Sequence, residues 1–138
     1  MKVKVGRTVY QISDRGAADF VRLMALYIKE GKPQYYNDWC DIHQISATDL
    51  FYMGLVERVG RMKGLYYPTK EGKAFFRGKA IPKRKVFVRD ENGVRVEVPE
   101  GTPYKTLKEL LEEHANREAV VSEYREALAA LDRKQVFD

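Results

Sequence analysis

Apolar positions recur along the chain with two periods, and the changes between them mark out its elements. Residues 2 to 12 alternate, with Val3 and Val5 set against lysines and Val9, Tyr10 and Ile12 following a Gly6-Arg7 break, which predicts a short strand or hairpin. From Ser13 or Asp14 the spacing becomes three and four. Ala17, Phe20, Leu23, Met24, Tyr27 and Ile28 predict a helix through about Lys29, capped at its start and ended by Gly31 and Pro33. Residues 34 to 45 suit a short second helix with Trp39, Ile42 and Ile45 turned inward. Ser46 then has the chemistry of an N-cap, Asp49 that of the acidic arm of a capping box, and Leu50, Phe51 and Met53 supply the buried stripe of a third helix.

Gly54 stops that helix. Leu55 to Val59 reads as a strand, Gly60 to Gly64 as a turn, and Leu65 to Pro68 as the returning arm. Thr69 is placed to cap a fourth helix carrying Ala74, Phe75 and Phe76, and Pro82 closes the region. A second hairpin follows, Val86 to Val88 with Val94 to Val98, joined by Asp90-Glu91-Asn92-Gly93, whose Asn-Gly pair tolerates the positive φ of a tight turn. Pro99, Gly101 and Pro103 make a linker-like stretch, and Tyr104 to about Lys134, rich in Glu, Ala and Leu, predicts one long helix.

Three helices, the third running into Gly54-Leu55-Val56-Glu57, then Gly64-Leu65-Tyr66-Tyr67, then Thr69-x-x-Gly72-x-x-Phe75, form a pattern similar to that of small prokaryotic and phage winged-helix proteins. The resemblance covers about residues 14 to 80. It implies an α+β chain with a winged helix-turn-helix core (residues 1 to 82 with the N-terminal strand), a basic segment and added hairpin (83 to 99), and a long C-terminal helix (100 to 138). It also implies that the third helix enters the DNA major groove while the wing touches the backbone. By position the base-edge candidates are Gln44, Ser46, Thr48 and Tyr52, and the wing candidates are Arg58, Arg61 and Lys63.

Charge both supports and qualifies that expectation. Residues 54 to 95 hold 12 Lys/Arg against 4 Asp/Glu, whereas residues 96 to 138 hold 6 against 10, so the chain's net +5 resides in its middle. Lys83, Arg84 and Lys85 extend the phosphate-neutralising set. No Lys or Arg lies between Lys32 and Arg58, however, while Asp38, Asp41, Asp49 and Glu57 do, and carboxylates beside a groove-entering helix repel phosphates.

Catalytic patterns are missing. None of the Gly-Lys pairs at 31, 72 and 78 is followed by Ser or Thr, as a phosphate loop requires. Cys40-x-x-His43 has no orienting third group, and Glu112-Glu113-His114 suits a solvated helix face. Cys40, His43 and His114 are too few ligands for structural zinc, so neither metal nor cofactor is expected. No apolar run reaches the ~18 residues of a membrane span, and the start lacks a signal-like stretch, which predicts a cytoplasmic protein.

Two functions fit. One is a small DNA-binding transcription regulator. The other is a phage-type factor that docks on a host transcription protein such as RNA polymerase. The C-terminal segment bears on the choice, because positions stepping by three and four hold Leu107, Leu110, His114, Arg117, Val121, Tyr124, Leu128 and Leu131, a heptad seam with a polar centre. The six apolar members are candidates for protein binding or homodimerisation; the alternative is that they fold back onto the preceding domain.

Overall fold

The computed structural model describes residues 7–41, 45–61 and 64–134, apart from the side chains of 45, 46 and 134. It begins with β1 (Arg7–Gln11) and α1 (Asp14–Glu30). The Ser13 hydroxyl accepts the Gly16 N–H at 3.0 Å, and Gly31, at φ 68°, closes the helix by donating its N–H to Tyr27. The predicted stripe of α1 is the centre of the core, with Ala17, Phe20, Leu23 and Met24 excluded from solvent.

The next two elements, β2 (Gln34–Tyr35) and α2 (Tyr36–Trp39), are shorter than the helix expected over 34 to 45. Gln34 and Tyr35 pair with a later strand, so the helix cannot begin before Tyr36, and it ends at Cys40, whose ψ of 133° is extended. Trp39 still turns inward, and its indole N–H donates to the Gln34 carbonyl at 3.4 Å. Ile42 lies outside the described residues. α3 (Ile45–Tyr52) starts one residue before the expected cap Ser46. At its end Gly54 takes φ 82°, its N–H bonds the Phe51 carbonyl, and the Leu55 N–H reaches the Leu50 carbonyl, the paired bonds of a Schellman stop.

β3 (Val56–Arg58) and β4 (Leu65–Pro68) follow, then α4 (Lys70–Phe76). The Thr69 hydroxyl accepts the Gly72 N–H at 3.0 Å and donates to the Gly54 carbonyl at 2.6 Å, tying the start of α4 to the end of α3. Gly72 is required by close approach: a Cβ there would sit 2.0 Å from the Leu55 carbonyl oxygen.

β5 (Ile81–Pro82), β6 (Arg84–Arg89), β7 (Arg95–Val98) and β8 (Tyr104–Lys105) lead to α5 (Leu107–Glu112) and α6 (Arg117–Lys134). Among the described residues the fold is thus α+β, with six helices and three small antiparallel sheets of order β1-β6-β7, β2-β4-β3 and β5-β8. β1 pairs along β6 from Arg7 opposite Val88 to Gln11 opposite Arg84, so the second hairpin is extended by the N-terminal strand.

The single helix expected from Tyr104 to Lys134 is two. Tyr104 and Lys105 pair with β5, and Thr106 and Glu109 form a reciprocal capping box that starts α5. The chain turns over residues 113 to 116, where the His114 ring accepts the Asn116 N–H and the Asn116 carbonyl accepts the Val120 N–H to open α6. The heptad seam does not survive this break. Leu107, Leu110, Tyr124 and Leu131 are buried in the chain's own core, and Val121 and Leu128 are half-buried against it. The segment folds back onto the preceding domain, which buries four of the six and leaves Val121 and Leu128 partly exposed. Tyr124 reaches α4, its hydroxyl donating to the Phe76 carbonyl and its ring meeting Phe76 edge-on.

Candidate interaction surface

Two of the described side chains of α3, Ala47 and Leu50, belong to the core, and the other four, Thr48, Asp49, Phe51 and Tyr52, are all half-buried. The first sheet packs on Tyr52 at the end of this helix. On one face of the sheet, alternation and register bring together Tyr10 of β1, Lys85 and Phe87 of β6, and Arg95 and Glu97 of β7. The Tyr10 ring stacks on Tyr52 with centroids 4.2 Å apart, and Phe87 meets both rings edge-on. The Arg95 guanidinium lies 4.8 Å above Tyr52 and donates to the Tyr10 hydroxyl at 2.9 Å. On the other side of α3, Arg58 of β3 lies 4.5 Å above the Phe51 ring. The result is a row of rings with one guanidinium over Phe51 and another over Tyr52 and Tyr10, an arrangement in which each cation–ring contact contributes roughly 0.5–2 kcal/mol.

Each cation of the basic run has a carboxylate partner. Lys83 pairs with Glu113 at 3.7 Å, Arg84 with Glu100, and Lys85 with Glu97 at 3.8 Å. Glu100 also takes Arg7 at 3.0 Å, and Glu113 takes Lys105 at 3.8 Å. Pairs this exposed contribute little to stability, at most about 1 kcal/mol each. Their consequence is electrostatic: carboxylates of the acidic C-terminal third neutralise the run that the sequence offers to an anion.

Among the described residues the nucleic-acid candidates do not converge. Gln44 and Lys63 lie outside the described residues, as does the side chain of Ser46. Thr48 is half-buried, Tyr52 is packed under Tyr10, and Lys83, Arg84 and Lys85 are ion-paired. Arg58 and Arg61 remain exposed beside the β3–β4 turn. Sequence reasoning missed Tyr10, Phe51, Phe87 and Arg95. The period-two spacing of Thr8 with Tyr10 and of Lys85 with Phe87 marks those residues as sharing faces, but which strand β1 would pair with was not written locally.

The opposite face of the same sheet carries valines of graded exposure, with Val86 of β6 fully buried. Val9 is 43% exposed, Val94 56% and Val96 42%, with Val88 and Val98 half-buried between them and the Arg7–Glu100–Arg84 ion pairs alongside.

Among the described residues, which do not include His43, reactive chemistry is not concentrated anywhere. Burial, aided by the nearby Asp19 carboxylate, pushes the Cys40 thiol up to about 12, so it stays protonated near neutral pH and is a poor nucleophile. Asp19, 2% exposed, accepts from Arg22 and from the Asp41 N–H, both at 3.2 Å, and so fastens α1 to the chain leaving α2. Among the described residues no three His, Cys, Asp or Glu side chains are grouped to hold a metal ion, and no helix is long and apolar enough to cross a membrane. Comparison with known proteins gives no matching family model, no matching curated protein and no matching solved structure, so the functional reading stands on this geometry alone.

Proposed function

We propose that residues 14 to 76 are a winged helix and that the chain regulates transcription by docking on a protein of the host transcription machinery, RNA polymerase being the candidate. The order α1, β2, α2, α3, β3, β4, with the short strand after α1 pairing with the returning arm in a β2-β4-β3 sheet, supports the winged-helix reading. The observation that carries protein docking over DNA reading is the partial burial of α3. A helix whose four outer described side chains are already half-buried, one of them in a ring stack, has few atoms left to read base edges. The carboxylates on and before this helix and the ion-paired basic run point the same way. The exposed valines of the first sheet supply apolar surface of the kind protein partners bury.

DNA contact through the β3–β4 turn is the second reading, favoured by the exposed Arg58 and Arg61. The test immobilises the full chain and passes nuclease-treated bacterial RNA polymerase over it, then random-sequence duplex DNA, at 50 and 200 mM salt. Docking predicts polymerase capture that persists at the higher salt and weak DNA retention that vanishes. Tight DNA retention at 200 mM with no polymerase capture would overturn the proposal in favour of DNA reading.

A further inference from the structure

β7 is an edge strand: in the order β1-β6-β7, among the described residues, no other strand pairs with its outer side. Exposed edges are normally blunted by lysine, proline or a bulge, because their unpaired N–H and C=O groups recruit another strand. Residues 94 to 98 carry no lysine, proline or bulge, and the two charges they do carry, Arg95 and Glu97, are opposite in sign. They read Val94-Arg95-Val96-Glu97-Val98, a segment that is complementary to itself when reversed.

We infer that the β7 edge is a homodimer interface, pairing antiparallel with β7 of a second copy about a two-fold axis at Val96. In that register Arg95 lies opposite Glu97 of the second copy, Glu97 opposite its Arg95, and Val94 opposite its Val98. The backbone agrees. The Asp90 N–H bonds the Val94 carbonyl, so by the alternation of an antiparallel ladder Val94, Val96 and Val98 direct their backbone groups at β6, and Arg95 and Glu97 direct theirs outward. Those outward residues are the ones that the register places opposite each other, giving four backbone hydrogen bonds. Val96 then meets its own copy in the closer, non-hydrogen-bonded pair, which suits a side chain left 42% exposed in one chain.

Charge selects this edge over the other. The same operation on β1 about Val9 sets Arg7 opposite Gln11 and Thr8 opposite Tyr10, with no ion pair. Pairing through β7 makes a six-stranded sheet with the exposed valines of both copies on one continuous face. The inference stands on the strand alone and does not depend on the reading of α3 or on what the protein docks to.

Sedimentation of the full chain across micromolar concentrations tests it, expecting a reversible species of twice 16.0 kDa. Glu97→Arg sets arginine against arginine at both contacts, and Val96→Lys sets two lysines on the axis. Each is expected to raise the dimer dissociation constant by about tenfold or more while the thermal melt shows a folded chain. Arg95→Glu is also expected to be monomeric, and mixing it with Glu97→Arg should restore a heterodimer with both ion pairs. A wild-type chain that stays monomeric, as one whose edge takes only another protein's strand would, overturns the inference. So does a dimer unchanged by Val96→Lys and Glu97→Arg. If Arg95→Glu, which also loses its Tyr10 contact, does not fold, those two variants decide the matter alone.

Discussion

Tyr52, on the last turn of α3, and Tyr10, in β1, lie ring on ring with their planes 14° apart, and this contact seats the first sheet on the helix. Replacing either tyrosine with alanine is expected to destabilise the chain by about 2–3 kcal/mol, since each ring is half-buried. A double-mutant cycle should return a coupling of about 0.5–1.5 kcal/mol. Additive single effects in chemical denaturation would mean that the sheet does not rest on α3 through this pair.

Gly72 tests how α4 packs. Gly72→Ala puts a methyl 2.0 Å from a backbone oxygen that cannot rotate away, so α4 must shift from Leu55. The expected loss is about 3 kcal/mol or more, although alanine is the better helix former. An unchanged melting temperature would contradict the close approach.

Asp49 gives a pH dependence. Burial raises its carboxyl above the ordinary value, so the folded chain holds this proton more tightly than the unfolded one. The sign follows: its contribution to stability is fully present below the unfolded pKa and is lost as pH rises through the raised folded value. Asp49→Asn should therefore raise the melting temperature at pH 7, by less than about 1 kcal/mol of stability given the partial solvent screening. The gain should shrink toward pH 3, where both side chains are neutral.

Tyr124 tests the placement of α6. Its hydroxyl donates to the Phe76 carbonyl inside the core, and burial raises its pKa. Tyr124→Phe leaves that carbonyl without its donor and is expected to cost about 1–3 kcal/mol in denaturant titrations while leaving the mass in solution unchanged. A fall in oligomeric state with no loss of stability would place α6 at an intermolecular surface instead.

How much of this was legible depended on range. Local signals held: the Ser13 and Thr69 caps, the Gly54 stop and the helical stripe of α1 lie where the residue types put them, because each is decided within one turn of chain. The break in the last helix was hidden because Glu113-His114-Ala115-Asn116 contains neither Gly nor Pro. Only the Asn116 carbonyl opening α6, and the inward pull of Leu111 and Val120, reveal it. The candidate surface was the least legible part. Tyr10, Tyr52, Phe87 and Arg95 meet through a pairing of the first strand with a hairpin far along the chain, and the pairing of Lys83, Arg84 and Lys85 with the acidic third is equally nonlocal.

The salt dependence of binding to random duplex DNA separates protein docking from DNA reading. With the basic run ion-paired and α3 half-buried, Arg58 and Arg61 offer about two phosphate contacts among the described residues of this side. The account predicts weak binding and a log-affinity against log-salt slope of about −2 that falls toward zero in the Arg58→Ala, Arg61→Ala double variant. A slope of about −5 or steeper, with tight binding that survives that double substitution, would contradict it.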